Sequence, residues 1–93
     1  MLDASDKAEV QKRLARIAGQ VAGIQRMLDD DRYCIDIVIQ VSAARAALAK
    51  VSAAVLGRHF ETCLAATFET GSAAERRKKI DELMKVFDRH GNA

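Results

Sequence analysis

Apolar residues recur through the first third of the chain at Val10, Leu14, Ile17, Val21, Ile24 and Leu28, in steps that alternate between four and three. That spacing keeps returning to one side of a 3.6-residue turn and fits no strand, so it predicts an amphipathic helix with a near-heptad stripe. No proline interrupts it, or any other part of the 93 residues. Ser5 precedes the stripe as an N-cap, and Asp6 and Glu9 lie in the first turns, where the helix dipole favours acids. The run Asp29-Asp30-Asp31 ends it, because three acids at a helix C-terminus oppose the dipole and Asp prefers turns.

A second helix is expected from Arg32 to about Phe68, capped by Asp31 and carrying Ile35, Val38, Val41, Leu48, Val51, Val55 and Leu56. Its length is unusual beside the 11–12 residues or so typical of globular helices. The alanines at 43, 44, 46 and 47 suit close approach of another helix. Gly57 lies inside it at a cost of roughly 1 kcal/mol relative to Ala, which marks either a kink or the approach of a backbone or ligand. Glu69-Thr70-Gly71-Ser72 forms a second break, with Gly71 as C-cap and Ser72 as the next N-cap. A third helix follows from about Ala73 to Arg89, with Ile80, Leu83, Met84 and Phe87 on one face and the basic run Arg76-Arg77-Lys78-Lys79 near its start. The fold class is therefore all-α, as one domain over residues 1–93.

Three helices of this size make a thin core, so the chain is expected to oligomerise. The formal net charge of +2 is too mild to imply nucleic acid by itself. No stretch approaches the roughly 18 apolar residues of a membrane span, and the N-terminal sequence MLDASDKAEV has no apolar signal core. The expectation is a cytoplasmic protein without membrane contact. In that reducing compartment two cysteines point to metal binding or thiol chemistry rather than to a structural disulfide.

His59 and Cys63 stand four apart on the second helix and project from one face, about 6 Å apart along the axis. That is a chelating pair. Cys34 opens the same helix, 25 residues before His59, or roughly 37 Å on a straight helix. Either Cys34 is unrelated, or another subunit completes the site. An antiparallel pair of such helices brings Cys34 of one chain to the His59/Cys63 end of its mate, giving two equivalent sites per dimer. Two thiolates and an imidazole are a soft donor set that suits trigonal Cu(I), and equally a zinc with one open position. Against this, a cysteine on a helix is most often a small buried hydrophobe. A Cys63/His59 nucleophile is the enzymatic reading, but no oxyanion-hole loop or pocket-forming scaffold accompanies it, so no enzyme is expected.

Lys12, Arg16 and Gln20 recur every four residues along one face of the first helix, with Arg13 beside them. Repeated on each subunit, such a face can pair with DNA phosphates. Taken alone it reads equally as a solvated helix face, as does the run from Arg76 to Lys79. No helix-turn-helix with a short glycine turn is evident.

Several strings together resemble one family. RLARIAGQVAGIQRML (residues 13–28), DRYCIDIVIQVSAARAAL (residues 31–48), His59-Phe60-Glu61-Thr62-Cys63 and the late Asp81-Glu82-Leu83 are similar to the hallmarks of the CsoR/RcnR family of small bacterial metal- and stress-sensing repressors. The resemblance covers residues 7 to 87. It implies a three-helix protomer, an antiparallel four-helix-bundle dimer and a dimer of dimers, with operator DNA bound by the apo homotetramer and released by the inducer. In the copper branch a Cys of one subunit and a His and Cys of the other hold the metal, and Cys34, His59 and Cys63 match them in type and spacing. Tyr33 and Glu82 resemble the Tyr and Glu that stand behind those ligands in that branch. Nickel and cobalt sensors carry His at the Cys63 position, formaldehyde sensors an N-terminal Pro where Leu2 stands, and persulfide sensors lack the His that His59 supplies.

The resemblance thus implies a Cu(I)-responsive transcriptional repressor. Its operator contacts would be Lys12, Arg13, Arg16 and Gln20, joined by Lys50. Two alternatives stay open. One is a sensor of the same family that answers to reactive sulfur, redox change or another metal (Zn, Ni) through Cys34 and Cys63. The other, from a different class, is a helical interaction module whose cysteines are incidental.

Overall fold

The computed structural model describes residues 2–90, and all regular structure among them is helical. Helix α1 spans Ala4–Asp29, α2 spans Cys34–His59, a π-helical turn covers Phe60–Leu64, α3 spans Ala65–Thr70 and α4 spans Ala73–His90. The backbone keeps right-handed helical angles at His59, Leu64 and Ala65, so α2, the π turn and α3 form one continuous helical stretch. That stretch is the long second helix that the sequence predicts, and α4 is the third. No helix among the described residues is long and apolar enough to cross a membrane.

The first helix begins with Asp3, not Ser5. Asp3 Oδ1 accepts from the Asp6 N–H at 2.8 Å, and Asp6 Oδ2 accepts from the Asp3 N–H at 3.2 Å. This reciprocal capping box satisfies two backbone donors at once. Ser5 cannot build one, because the residue three further on is Ala8, which has no acceptor to return.

The end of α1 also differs from expectation. Asp31 is the one non-glycine residue among those described with a positive φ, at 53°. Its N–H donates to the Leu28 carbonyl at 3.2 Å, and the Arg32 N–H donates to the Met27 carbonyl at 2.9 Å. These paired bonds make a Schellman ending, with Asp31 in the left-handed position that glycine usually takes. Asp31 therefore closes α1 and does not cap α2. Asp tolerates this conformation better than most residues because its short polar side chain bonds locally. The first turn of α2 instead closes on the Tyr33 carbonyl, which accepts from the Ile37 N–H at 3.2 Å.

The break between α3 and α4 follows the sequence reading. Gly71 caps α3 with extended angles (φ −78°, ψ 161°), so no left-handed turn requires it. Crowding does: its N–H donates to the Thr67 carbonyl at 2.7 Å, and a Cβ there would lie 2.5 Å from that oxygen. Ser72 Oγ accepts from the Glu75 N–H at 3.2 Å and caps α4. A Cβ at Gly57 meets nothing within 4 Å. No neighbour approaches there, and the irregularity of the long helix lies at the π turn instead.

Two compact units divide the chain near Gly57. In residues 2–57, α1 and α2 share a groove that sets residues 13–20 beside residues 47–50, so across their short turn they form an antiparallel hairpin. Ile17 of α1 and Ala44 of α2 are its buried residues, at 7% exposure each. In residues 58–90 the π turn, α3 and α4 pack together. Leu14, Val21, Leu28, Ile35, Val38, Ile39, Val41 and Leu48 remain exposed in the first unit, and Phe68, Ile80, Met84 and Phe87 in the second.

Two changes test these endings by chemical denaturation. Asp31→Gly is expected to raise stability by about 0.5–1 kcal/mol, and Asp31→Val to lower it by about 1–2 kcal/mol, since only the side-chain penalty at positive φ differs. Gly71→Ala is expected to cost about 1–2 kcal/mol, because its Cβ forces the Thr67 carbonyl away from the amide that binds it.

Candidate functional site

Cys34 is the first residue of α2 and is exposed. Tyr33, immediately before it, is 68% exposed. His59 is the last residue of α2, and Cys63 lies inside the π turn; both are half-buried. Neither cysteine forms a disulfide. The chain thus sets one soft donor at the opening of its long helix and a pair of donors near the other end.

The pair is not held on a regular α-helix, as its spacing suggests. The Ala65 N–H donates to the Phe60 carbonyl, an i→i+5 bond that widens the turn between the two donors. A wider turn carries more residues, so positions four apart come closer to eclipsed than the 3.6-residue repeat allows. Such turns concentrate at functional sites. Threonine hydroxyls support the backbone on either side. Thr62 Oγ1 donates to the Arg58 carbonyl at 2.7 Å, and Thr67 Oγ1 donates to the Cys63 carbonyl at 2.9 Å. Hydroxyl bonds to the carbonyl one turn back compete with the regular helix ladder and bend helices. Thr62 Oγ1 also lies 3.6 Å from Cys63 Sγ. Arg58, just before the turn, forms an ion pair at 2.6 Å with Glu61 inside it.

Glu82 sits on α4 and pairs with Lys79 of the basic run at 3.6 Å. Among the described residues of one chain, no three of His, Cys, Asp or Glu gather closely enough to hold a metal ion. His59 and Cys63 share a turn, and the described residues of one chain supply them with no third donor.

The residues singled out for DNA behave differently. Arg13, Arg16 and Gln20 of α1 and Lys50 of α2 line one groove of about 250 Å³, floored by Ile17 and Ala47. Lys12 lies on α1 outside that lining and is exposed. Arg13 Nε is buried and has no hydrogen-bond partner among the described residues; Glu9 Oε1 is 3.6 Å away. Three cations and one amide therefore converge from two helices on a surface with an apolar floor. That composition suits a polyanion, which takes charge from the cations and a directional bond from the amide.

The sequence reading did not anticipate the π turn, the threonine bonds around it or the burial of Arg13 Nε. A threonine four residues after Arg58 and another four after Cys63 are the traces left in the sequence. A second groove, in residues 58–90, is lined by Phe68, Ala73, Arg76, Arg77, Ile80 and Asp81, and places two cations of the basic run beside apolar side chains.

Comparison with known proteins bears on both features. Residues 6–89 match a family model described as metal-sensitive transcriptional repressor. The copper-sensing transcriptional repressor CsoR of Bacillus subtilis is 42% identical over 82 residues, which cover 88% of this chain and 78% of that protein. The copper-sensing transcriptional repressor RicR of Mycobacterium tuberculosis is 43% identical over 70 residues, covering 74% of this chain and 73% of that protein. The crystal structure of the copper-sensing repressor CsoR with Cu(I) from Geobacillus thermodenitrificans shares the fold with a TM-score of 0.87 and 37% identity, over 98% of this chain and 92% of that one.

Proposed function

The chain belongs to the family of metal-sensitive transcriptional repressors, and we propose that it is a Cu(I)-responsive one. In this reading residues 1–93 act as a single sensor domain in the cytoplasm. Operator DNA is bound without the metal and released with it, which derepresses metal-resistance genes. The observation that carries the proposal is the His59–Cys63 pair across a π turn, in a chain that shares its fold with a copper-sensing repressor determined with Cu(I).

The donor chemistry fits. Two thiols outside any disulfide and one imidazole are soft ligands, and three such donors suit a monovalent copper ion better than a four-coordinate structural zinc. One chain gathers no three such donors among its described residues, so the third comes from a second copy. Cys34 of one protomer completes the His59/Cys63 pair of its partner in an antiparallel four-helix-bundle dimer, and two dimers form the tetramer. The exposed apolar residues along α1, α2 and α4 supply the surface for that assembly. Tyr33 adjoins one ligand, and Glu82, now paired with Lys79, becomes available to orient the site.

Residues of two subunits are tied by one ion in this arrangement, so ligation selects one relative placement of the helices. Arg13, Arg16, Gln20 and Lys50, with Lys12 at the margin, match the spacing of DNA phosphates only in the other placement. Linkage then makes metal and DNA each weaken the other's binding, with a coupling of typically about 1–3 kcal/mol.

Anaerobic Cu(I) titration against a competing chelator, paired with binding to duplex DNA selected by the protein from a random library, tests this. One Cu(I) per chain and a fall in DNA affinity of roughly 5–150-fold are expected, with both effects weakened in Cys34→Ala, His59→Ala and Cys63→Ala. DNA affinity unchanged under saturating Cu(I) overturns the copper reading. Release by sulfide, with a linked Cys34 and Cys63, would favour thiol sensing instead. The groove supplies a separate expectation. Arg16→Ala and Lys50→Ala should each lower affinity for all duplexes alike, and each reduce the slope of log affinity against log salt by about 0.9.

A further inference from the structure

We propose that Glu9 is a built-in competitor for the DNA phosphate that Arg13 takes, so that this one carboxylate sets how tightly the repressor holds DNA. The inference rests on the DNA-binding reading of the groove and adds a residue that neither the spacing nor the resemblance points to. Arg13 is the member of the groove with an unmet need. Its Nε is buried and lacks a hydrogen bond among the described residues, and a buried donor left in this state calls for a partner. Glu9, one turn earlier on α1, is the nearest recorded anion, with Oε1 at 3.6 Å from that nitrogen. The separation is an ion pair's and too long for a hydrogen bond.

The pair is also open to solvent, with the Arg13 and Glu9 side chains 40% and 62% exposed. Exposed ion pairs are weak, because water and salt screen them and two long side chains lose freedom. A phosphate can do better, since its oxygens meet a guanidinium through two parallel charge-assisted bonds. Arg16 and Lys50 line the same groove and draw an anion there. Entry of a phosphate displaces the carboxylate, leaving Glu9 beside a new negative charge. Glu9 therefore opposes binding twice, by occupying Arg13 beforehand and by repelling the phosphate afterwards.

The first effect exists only while Arg13 is present, and that gives the test. Binding of the full-length protein to a duplex selected from a random library is measured for wild type, Glu9→Gln, Arg13→Ala and the double variant, at low and raised salt. Glu69→Gln, a charge change on α3 outside the groove, serves as the control. Glu9→Gln is expected to tighten binding by about 3–10-fold at low salt, with the gain shrinking as salt rises. In the Arg13→Ala background the gain should shrink, because only the repulsion remains. A gain of equal size in both backgrounds reduces Glu9 to a general charge effect and overturns the proposal, as does no gain in either. If the wild type selects and binds no duplex, the DNA reading itself fails, and that result is separate from both.

Discussion

The structure depends on a shortage of buried surface. Ile17 and Ala44 are its buried apolar side chains among the described residues, while large residues from Leu14 to Phe87 keep much of their surface in contact with solvent. A helix hides its apolar stripe only against something else. Here α1 and α2 offer each other little more than one contact line at Ile17 and Ala44. Exposed apolar surface on this scale is what the proposed assembly of copies would cover. In the proposed assembly, folding, association and sensing draw on the same surfaces, and a ligand that bridges two chains would act directly on what holds them together.

The same economy shapes the segment that carries His59 and Cys63. The second helical stretch stays continuous over 34–70, but its ladder shifts by one residue at the π turn. That shift comes just where His59 and Cys63 need to face one way. Hydroxyls of Thr62 and Thr67 bind the carbonyls of Arg58 and Cys63 and support the irregular segment. A π turn is rare because its wide bore packs poorly, and this one separates two soft donors in a chain whose relatives are copper-sensing repressors. Within residues 2–57, four polar side chains reach a single groove because α1 and α2 run antiparallel, and one of them, Arg13, is paired with a carboxylate of its own helix.

Much of this was legible in the residues. The alternating steps of three and four from Val10 to Leu28 marked α1, and the break at Gly71-Ser72 marked the start of α4. Both signals are local, and helices are governed by contacts within a turn or two. The same periodicity put His59 near Cys63 and Lys12 in a row with Arg16 and Gln20, but the structure sets Cys63 in a π turn and leaves Lys12 outside the groove that Arg16 and Gln20 line. The misreadings were local in another way. Ser5 and Asp31 are residue types that cap helices, and both lie near helix ends, yet Asp3 holds the first cap and Asp31 the left-handed closing position. Capping is decided by which neighbour can return a hydrogen bond, and Asp6 could answer Asp3 where Ala8 could not answer Ser5.

By itself the sequence determined that the chain is helical, where its helices begin and end to within a few residues, and which side chains of one helix share a face. These follow from a period that each residue imposes on its near neighbours. Only the tertiary structure decided the rest. It brought Lys50 beside Arg13, Arg16 and Gln20, residues some thirty positions away in the chain. It buried Arg13 Nε beside Glu9 and widened the turn between the two metal-binding candidates. The groove arises where one helix lies against another, and a residue's neighbours across that contact leave no period in its own segment; the ion pair and the π turn are local to one helix, but a 3.6-residue period carries no sign of either.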